Sequence, residues 1–139
     1  MSTAFDPIRP VIDSWLRNRC EHHSVVTDVK DYYYCDFRLN ARVTGAIEFI
    51  DTTDLQPFGR NTIAVSLHLE TAPISGSDEA YQLLCVAEMF DCGITLVCKG
   101  DPEERILALQ YKCPATEITD ERLTAITENL LRHKHFIEE

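Results

Sequence analysis

The segment from Asn61 to Glu70 constrains the fold more than any other, because its side chains alternate in character without a break. Ile63, Val65, Leu67 and Leu69 fall on one side, and Thr62, Ala64, Ser66, His68 and Glu70 on the other. Successive side chains of a strand point to opposite faces, so this run reads as a half-buried antiparallel strand with one face on a core and one toward water. Two earlier runs share the period. Val43, Gly45, Ile47 and Phe49 alternate against Arg42, Thr44 and Glu48, while Tyr33, Cys35, Phe37 and Leu39 alternate against Tyr34, Asp36 and Arg38. Asn40-Ala41-Arg42 is the tight connection between them. Val25 to Val29 reads either as a separate short strand or as the start of the Tyr33 strand, since Asp28-Val29-Lys30-Asp31 suits a turn or a bulge. Asp51 to Asn61, with Pro57 and Gly59, is a polar loop.

Helical periods flank the strands. From Asp6 to Cys20, Ile8, Val11, Ile12, Trp15 and Leu16 follow the spacing of one buried stripe, with Asp6 expected as N-cap and Pro7 at the first helical position. A middle helix is expected from Ser77 to Cys92, capped by Ser77, with Asp78 and Glu79 at its positive dipole end. Its apolar face is broad: Tyr81, Leu84, Cys85 and Met89 are joined by Leu83, Val86, Ala87 and Phe90. Gly93 suits the residue that ends it. Ile94 to Lys99 and a return strand carrying Leu107, Leu109, Tyr111 and Cys113 then form an antiparallel hairpin around the charged tip Gly100 to Glu104. Thr119 caps a last helix with Leu123, Ile126, Leu130 and Ile137 near one face. The expected product is a single α+β domain over residues 1–139. It has one antiparallel sheet with helices, in the order α-β-β-β-α-β-β-α, with an extra short strand as an alternative near residues 24–30.

Composition narrows the function classes. With 45% apolar and 26% charged residues among 139, the chain suits a soluble globular protein rather than a disordered one. Its formal net charge of −10 repels phosphate backbones, which disfavours nucleic acid as a partner. No basic region precedes an apolar run at the N-terminus and no apolar stretch approaches bilayer length, so neither export nor membrane insertion is expected and a cytoplasmic location is. The six cysteines are expected to be reduced in that compartment. Cys35, Cys85 and Cys113 lie among apolar neighbours, as small buried hydrophobes do.

Cys20-Glu21-His22-His23 places three potential metal ligands in four residues, but a zinc site needs a second short-spaced pair and none occurs at a familiar spacing. No C-x-x-C, no G-x-S-x-G and no phosphate-cradling glycine loop is present. No catalytic, metal or cofactor-binding residue is therefore assigned, and no cofactor is expected. A thiol- or metal-dependent enzyme using Cys20, His22 and His23 stands as an alternative, as does a small-molecule sensor. The tyrosine run is more suggestive. With Tyr33 facing the core, Tyr32 and Tyr34 share the opposite face and offer rigid amphipathic contact area. Tyr81, Leu84 and Met89 on the broad middle helix complete the expected partner-binding set.

The order of elements resembles the small acidic type III secretion chaperones and the YbjN-like bacterial proteins. The likeness is strongest from Ser77 onward: the broad apolar helix, Gly93-Ile94-Thr95-Leu96, the charged hairpin tip, Ile106 to Tyr111, and Ile118-Thr119-Asp120-Glu121 opening the last helix. The resemblance implies a non-enzymatic protein that commonly dimerises. In the secretion branch it implies an extended client segment held on apolar grooves or strand edges. A cytosolic binding module, chaperone-like or regulatory, with a protein or peptide client and a homodimeric state, is the reading that follows.

Overall fold

The computed structural model describes residues 5–55, 60–70, 93–99 and 106–138. Within them the chain is α+β. Helix α1 (Arg9–Arg19) precedes four strands, β1 (His22–Val29), β2 (Tyr32–Asn40), β3 (Val43–Asp51) and β4 (Asn61–His68). Strands β5 (Ile94–Lys99) and β6 (Ile106–Pro114) follow, then a short 3-10 turn (Ala115–Glu117) and helix α2 (Asp120–Glu138). The six strands form one sheet in the order β1-β2-β3-β4-β6-β5, every neighbouring pair antiparallel. The expected middle helix and the hairpin tip, and with them Tyr81, Leu84, Cys85 and Met89, lie outside the described residues.

The alternation read from the sequence sets the sheet's faces. Tyr33, Cys35, Phe37, Ile47, Phe49, Ile63, Val65, Leu67 and Leu109 are all buried on one side, the core face. Both described helices lie on it. Helix α1 brings Ile12, Trp15 and Leu16, and α2 brings Leu123, Ile126 and Leu130. Trp15 meets Phe37 edge-on, with ring centroids 5.7 Å apart, and its indole N–H donates to Thr124 Oγ1 at 3.1 Å. One side chain thereby ties α1 to β2 and to α2.

The start of α1 differs from expectation. Asp6 and Pro7 lie in a turn, the N-cap is Ile8 without a side-chain cap, and the proline within the first helical turn is Pro10. The reason lies in Phe5. Its ring is buried, stacked on Tyr33 at 4.4 Å and tilted on Phe49 at 5.0 Å, and its carbonyl accepts from the N–H groups of Ile8 and Arg9. Burying an aromatic side chain is worth on the order of 2 kcal/mol, more than a cap contributes, so the turn is set by where Phe5 seats. At the other end of the chain the cap is as read. Thr119 Oγ1 accepts from the Arg122 N–H at 3.0 Å.

Strand β1 resolves the alternatives for Val25 to Val29. It is a separate strand and longer than that segment, hairpinned to β2 through Lys30-Asp31, with a bulge between Val25 and Thr27. Arg9 of α1 braces it, its two terminal guanidinium nitrogens each donating to one oxygen of Asp28, at 2.7 and 2.8 Å. This bond raises the Arg9 pKa and lowers that of Asp28, in both cases as the largest cause.

Two further features are not expected from the sequence. Lys134, a charged residue in the last turns of α2, is only 3% exposed. Its ammonium donates to both oxygens of Glu138, and Glu138 Oε1 also accepts from the Glu70 N–H at 2.6 Å, which fastens the end of α2 to the exit of β4. The face opposite the core is also not uniformly wet: Ala46, Ala64, Ser66, Ala108 and Gln110 are buried there, all on the interior strands β3, β4 and β6.

Gly45 marks where two strands and an aromatic ring leave no room for a side chain. A Cβ there would run into the Ser66 carbonyl oxygen and lie 2.8 Å from Phe37 Cζ. Gly45→Ala is expected to cost at least about 2 kcal/mol in urea unfolding, the upper range of overpacking, because the rigid partner is backbone. A loss within about 0.5 kcal/mol, the range of neutral surface changes, would contradict this packing.

Candidate functional site

The second face and its flanking edge hold the candidate surfaces. Register decides which residues meet there. One row across the sheet runs Ser24, Asp36, Ala46, Ser66, Gln110 and Thr95, and the next runs Thr27, Tyr34, Glu48, Ala64 and Lys112. On the other side of the first row, His22 opposes Arg38 and Arg38 opposes Thr44. Thr44 Oγ1 lies 3.0 Å from His68 Nδ1 on β4.

A cavity of about 510 Å³ opens over this corner, lined by His22 and Ser24 of β1, Tyr34, Asp36 and Arg38 of β2, Thr44 of β3, and His68 of β4, with Ile106 of β6 at one side. It offers one guanidinium, one carboxylate, two imidazoles and three hydroxyls. A second cavity, of about 420 Å³, lies toward the opposite end of the same strands and includes Glu48, Arg60 and Lys112. Both are open clefts of small-molecule size.

The two tyrosines proposed as a contact face do share the second face, in different surroundings. Tyr32 opposes Ile50 and donates its hydroxyl hydrogen bond to Glu48 Oε2 at 2.6 Å. Its pKa is raised, first by burial and then by that carboxylate. Tyr34 opposes Glu48 and lines the larger cavity. Its hydroxyl is pushed up to about 12, first by burial and then by the charge of Asp36 and a hydrogen bond to it. Their cross-strand neighbours are Ile50 and Glu48, a pairing that only the β2–β3 register determines. Neither described helix covers them.

Of the two edges of the sheet among the described residues, β1 and β5, the β1 edge is the other candidate surface. Strand β1 is terminal in the strand order, and Val25, Val26 and Val29 are 48%, 61% and 62% exposed along it. An edge strand presents unpaired backbone N–H and C=O groups, and natural sheets blunt such edges with charge, proline or bulges. Here β1 has a bulge and one charged side chain, Asp28, which is paired with Arg9, and carries no proline.

The Cys20, His22, His23 cluster does not converge. Cys20 ends α1, and strand alternation sends His22 and His23 to opposite faces, His22 toward the cavity and His23 beside Phe37. Among the described residues no three His, Cys, Asp or Glu side chains are grouped to hold a metal ion. Burial pushes the Cys20 thiol up to about 11, with the nearby Cys35 a lesser cause. Cys35 and Cys113 are buried and likewise raised, first by burial. These thiols pack as small hydrophobes. No helix among the described residues is long and apolar enough to cross a membrane.

No family model, curated protein or solved structure matches this chain. Sequence reasoning missed the cavity residues Asp36, Arg38, Thr44 and His68 as a group. Alternation does assign each to the outward face, but only strand register brings them together.

A nucleophile at Cys20 would need a thiolate near neutral pH, where a thiol held at about 11 is protonated. In a variant keeping Cys20 as its one cysteine, alkylation by iodoacetamide followed by mass spectrometry is expected to be slow at pH 7.5 and to accelerate toward a midpoint near pH 11. A midpoint at or below the free-thiol value of about 8.5 would contradict this.

Proposed function

We propose that this chain is a non-enzymatic binding module, chaperone-like or regulatory, that holds an extended segment of a protein or peptide partner as an added strand beside β1. The observation that carries this reading is the β1 edge, which is terminal among the described residues and leaves Val25, Val26 and Val29 exposed there. Strand addition uses the main-chain groups of an edge for affinity and alternate side chains for specificity. An edge with exposed valines and unpaired main-chain groups suits an extended client better than a folded one. A second copy of the chain is a partner of the same kind, which makes a homodimer part of the reading.

Three further features support it. The order of elements resembles that of the secretion chaperones, which hold extended clients. The free thiols at Cys20, Cys35, Cys98 and Cys113 fit a reducing compartment such as the cytoplasm. The net charge of −10 suits a basic or neutral polypeptide better than a polyanion. Tyr32, the cross-strand partner of Val29, and the partly buried Tyr34 are the aromatic contacts nearest this edge on the second face.

Peptides of about ten residues selected by display against the protein are expected to alternate in polarity and to carry few acidic residues. Replacing Val26 and Val29 together with Lys should weaken the selected peptides at least tenfold in fluorescence polarisation. The melting temperature should stay nearly unchanged, because both positions are exposed. Undiminished binding to that variant would contradict the proposed edge.

A further inference from the structure

The larger cavity offers a chemistry that strand addition does not use. Its fixed charges are Arg38 and Asp36, two residues apart on β2 and therefore on one face, separated by about 7 Å along the strand. A simple anion placed here meets the Asp36 carboxylate, and a simple cation meets the Arg38 guanidinium. A molecule carrying both signs a few ångströms apart satisfies both.

We propose that this cavity binds a small zwitterion of the α-amino-acid type, its carboxylate on Arg38 and its ammonium on Asp36. The planar guanidinium fork of Arg38 matches a carboxylate with two parallel hydrogen bonds, and the side chain is exposed to receive one. Asp36 is exposed beside Tyr34 in the cavity lining, and a carboxylate has several acceptor sites for an ammonium group. His22 and Ser24 stand opposite these two residues on β1 and supply donors at the rim. The Thr44 to His68 contact forms the floor on β3 and β4. Ile106 provides an apolar wall across the cleft, which favours a large apolar side chain on the ligand. The volume of about 510 Å³ lies in the range of small-molecule sites, about 300–1,000 Å³. The β1 edge and this site share a strand but not a surface, since His22 and Ser24 reach the second face through their side chains and a client strand uses the backbone of β1.

The test is a titration of the full chain followed by amide chemical shifts at constant ionic strength. The probes are L-phenylalanine, N-acetyl-phenylalanine, which lacks the ammonium, and phenylalaninamide, which lacks the carboxylate. Phenylalanine is expected to give saturable shifts centred on Asp36, Arg38 and Thr44, and each analogue to bind at least tenfold more weakly. Arg38→Gln and Asp36→Asn should each remove the saturable response while leaving the melting temperature nearly unchanged, because both side chains are exposed. The Val26 and Val29 double replacement should leave it intact, so failure here and failure of the strand-edge reading are separable. Absence of saturable shifts would overturn the proposal, as would equal binding of N-acetyl-phenylalanine or a response that survives in both charge variants.

Discussion

The Trp15 indole is the contact on which the architecture turns. It is buried between α1, β2 and α2, edge-on to Phe37 and hydrogen-bonded to Thr124 across 109 residues of sequence. An aromatic pair of this geometry adds about 1 kcal/mol beyond its area, and the indole N–H avoids burial without a partner. Because this joint lies on the core face, both described helices are committed to the same side of the sheet. The Phe5, Tyr33 and Phe49 cluster continues the same layer, and the Glu138 contact to Glu70 closes it at the far end of α2. Strand β1 is left at the sheet's margin, held by pairing to β2 and by the exposed Arg9 to Asp28 pair, an interaction of the kind worth about 1 kcal/mol or less.

That asymmetry leaves the molecule its candidate surfaces. The core face is filled, whereas the second face carries hydroxyls, charges and imidazoles around a strip of small buried residues. Cavities form on either side of the row through Asp36, Ala46, Ser66 and Gln110, and the residues that line them come from strands that meet only through long-range pairing. The buried thiols belong to the scaffold. Their raised pKa values follow from burial, which disfavours a thiolate.

Much of this scaffold is legible in local sequence, because period-two alternation is a direct consequence of strand geometry. The segments around Tyr33, Ile47, Val65 and Leu109 each point their apolar residues to the core face as the pattern requires. The Thr119 cap is legible for a similar reason, since a hydroxyl three residues before the Arg122 N–H is a local arrangement. The start of α1 is not, because Asp6 and Pro7 satisfy every local rule while the burial of Phe5 against β2 and β3 decides the outcome. Lys134 fails in the same way: its burial depends on Glu138 one turn later and on the backbone of Glu70. The cavity is the least legible feature. His22, Arg38, Thr44 and His68 are spread over 47 positions, and a register shift of one residue would send half of them to the core.

The central claim is that β1 is an open edge to which a partner strand adds. Amide hydrogen exchange of β1 with and without a display-selected peptide tests it most directly. The account predicts that alternate amides along His22–Val29 exchange readily in the free protein at low concentration and become protected on peptide binding, while the β2 to β4 amides change little. Protection appearing elsewhere on the sheet or along α2, with β1 unchanged, would contradict it.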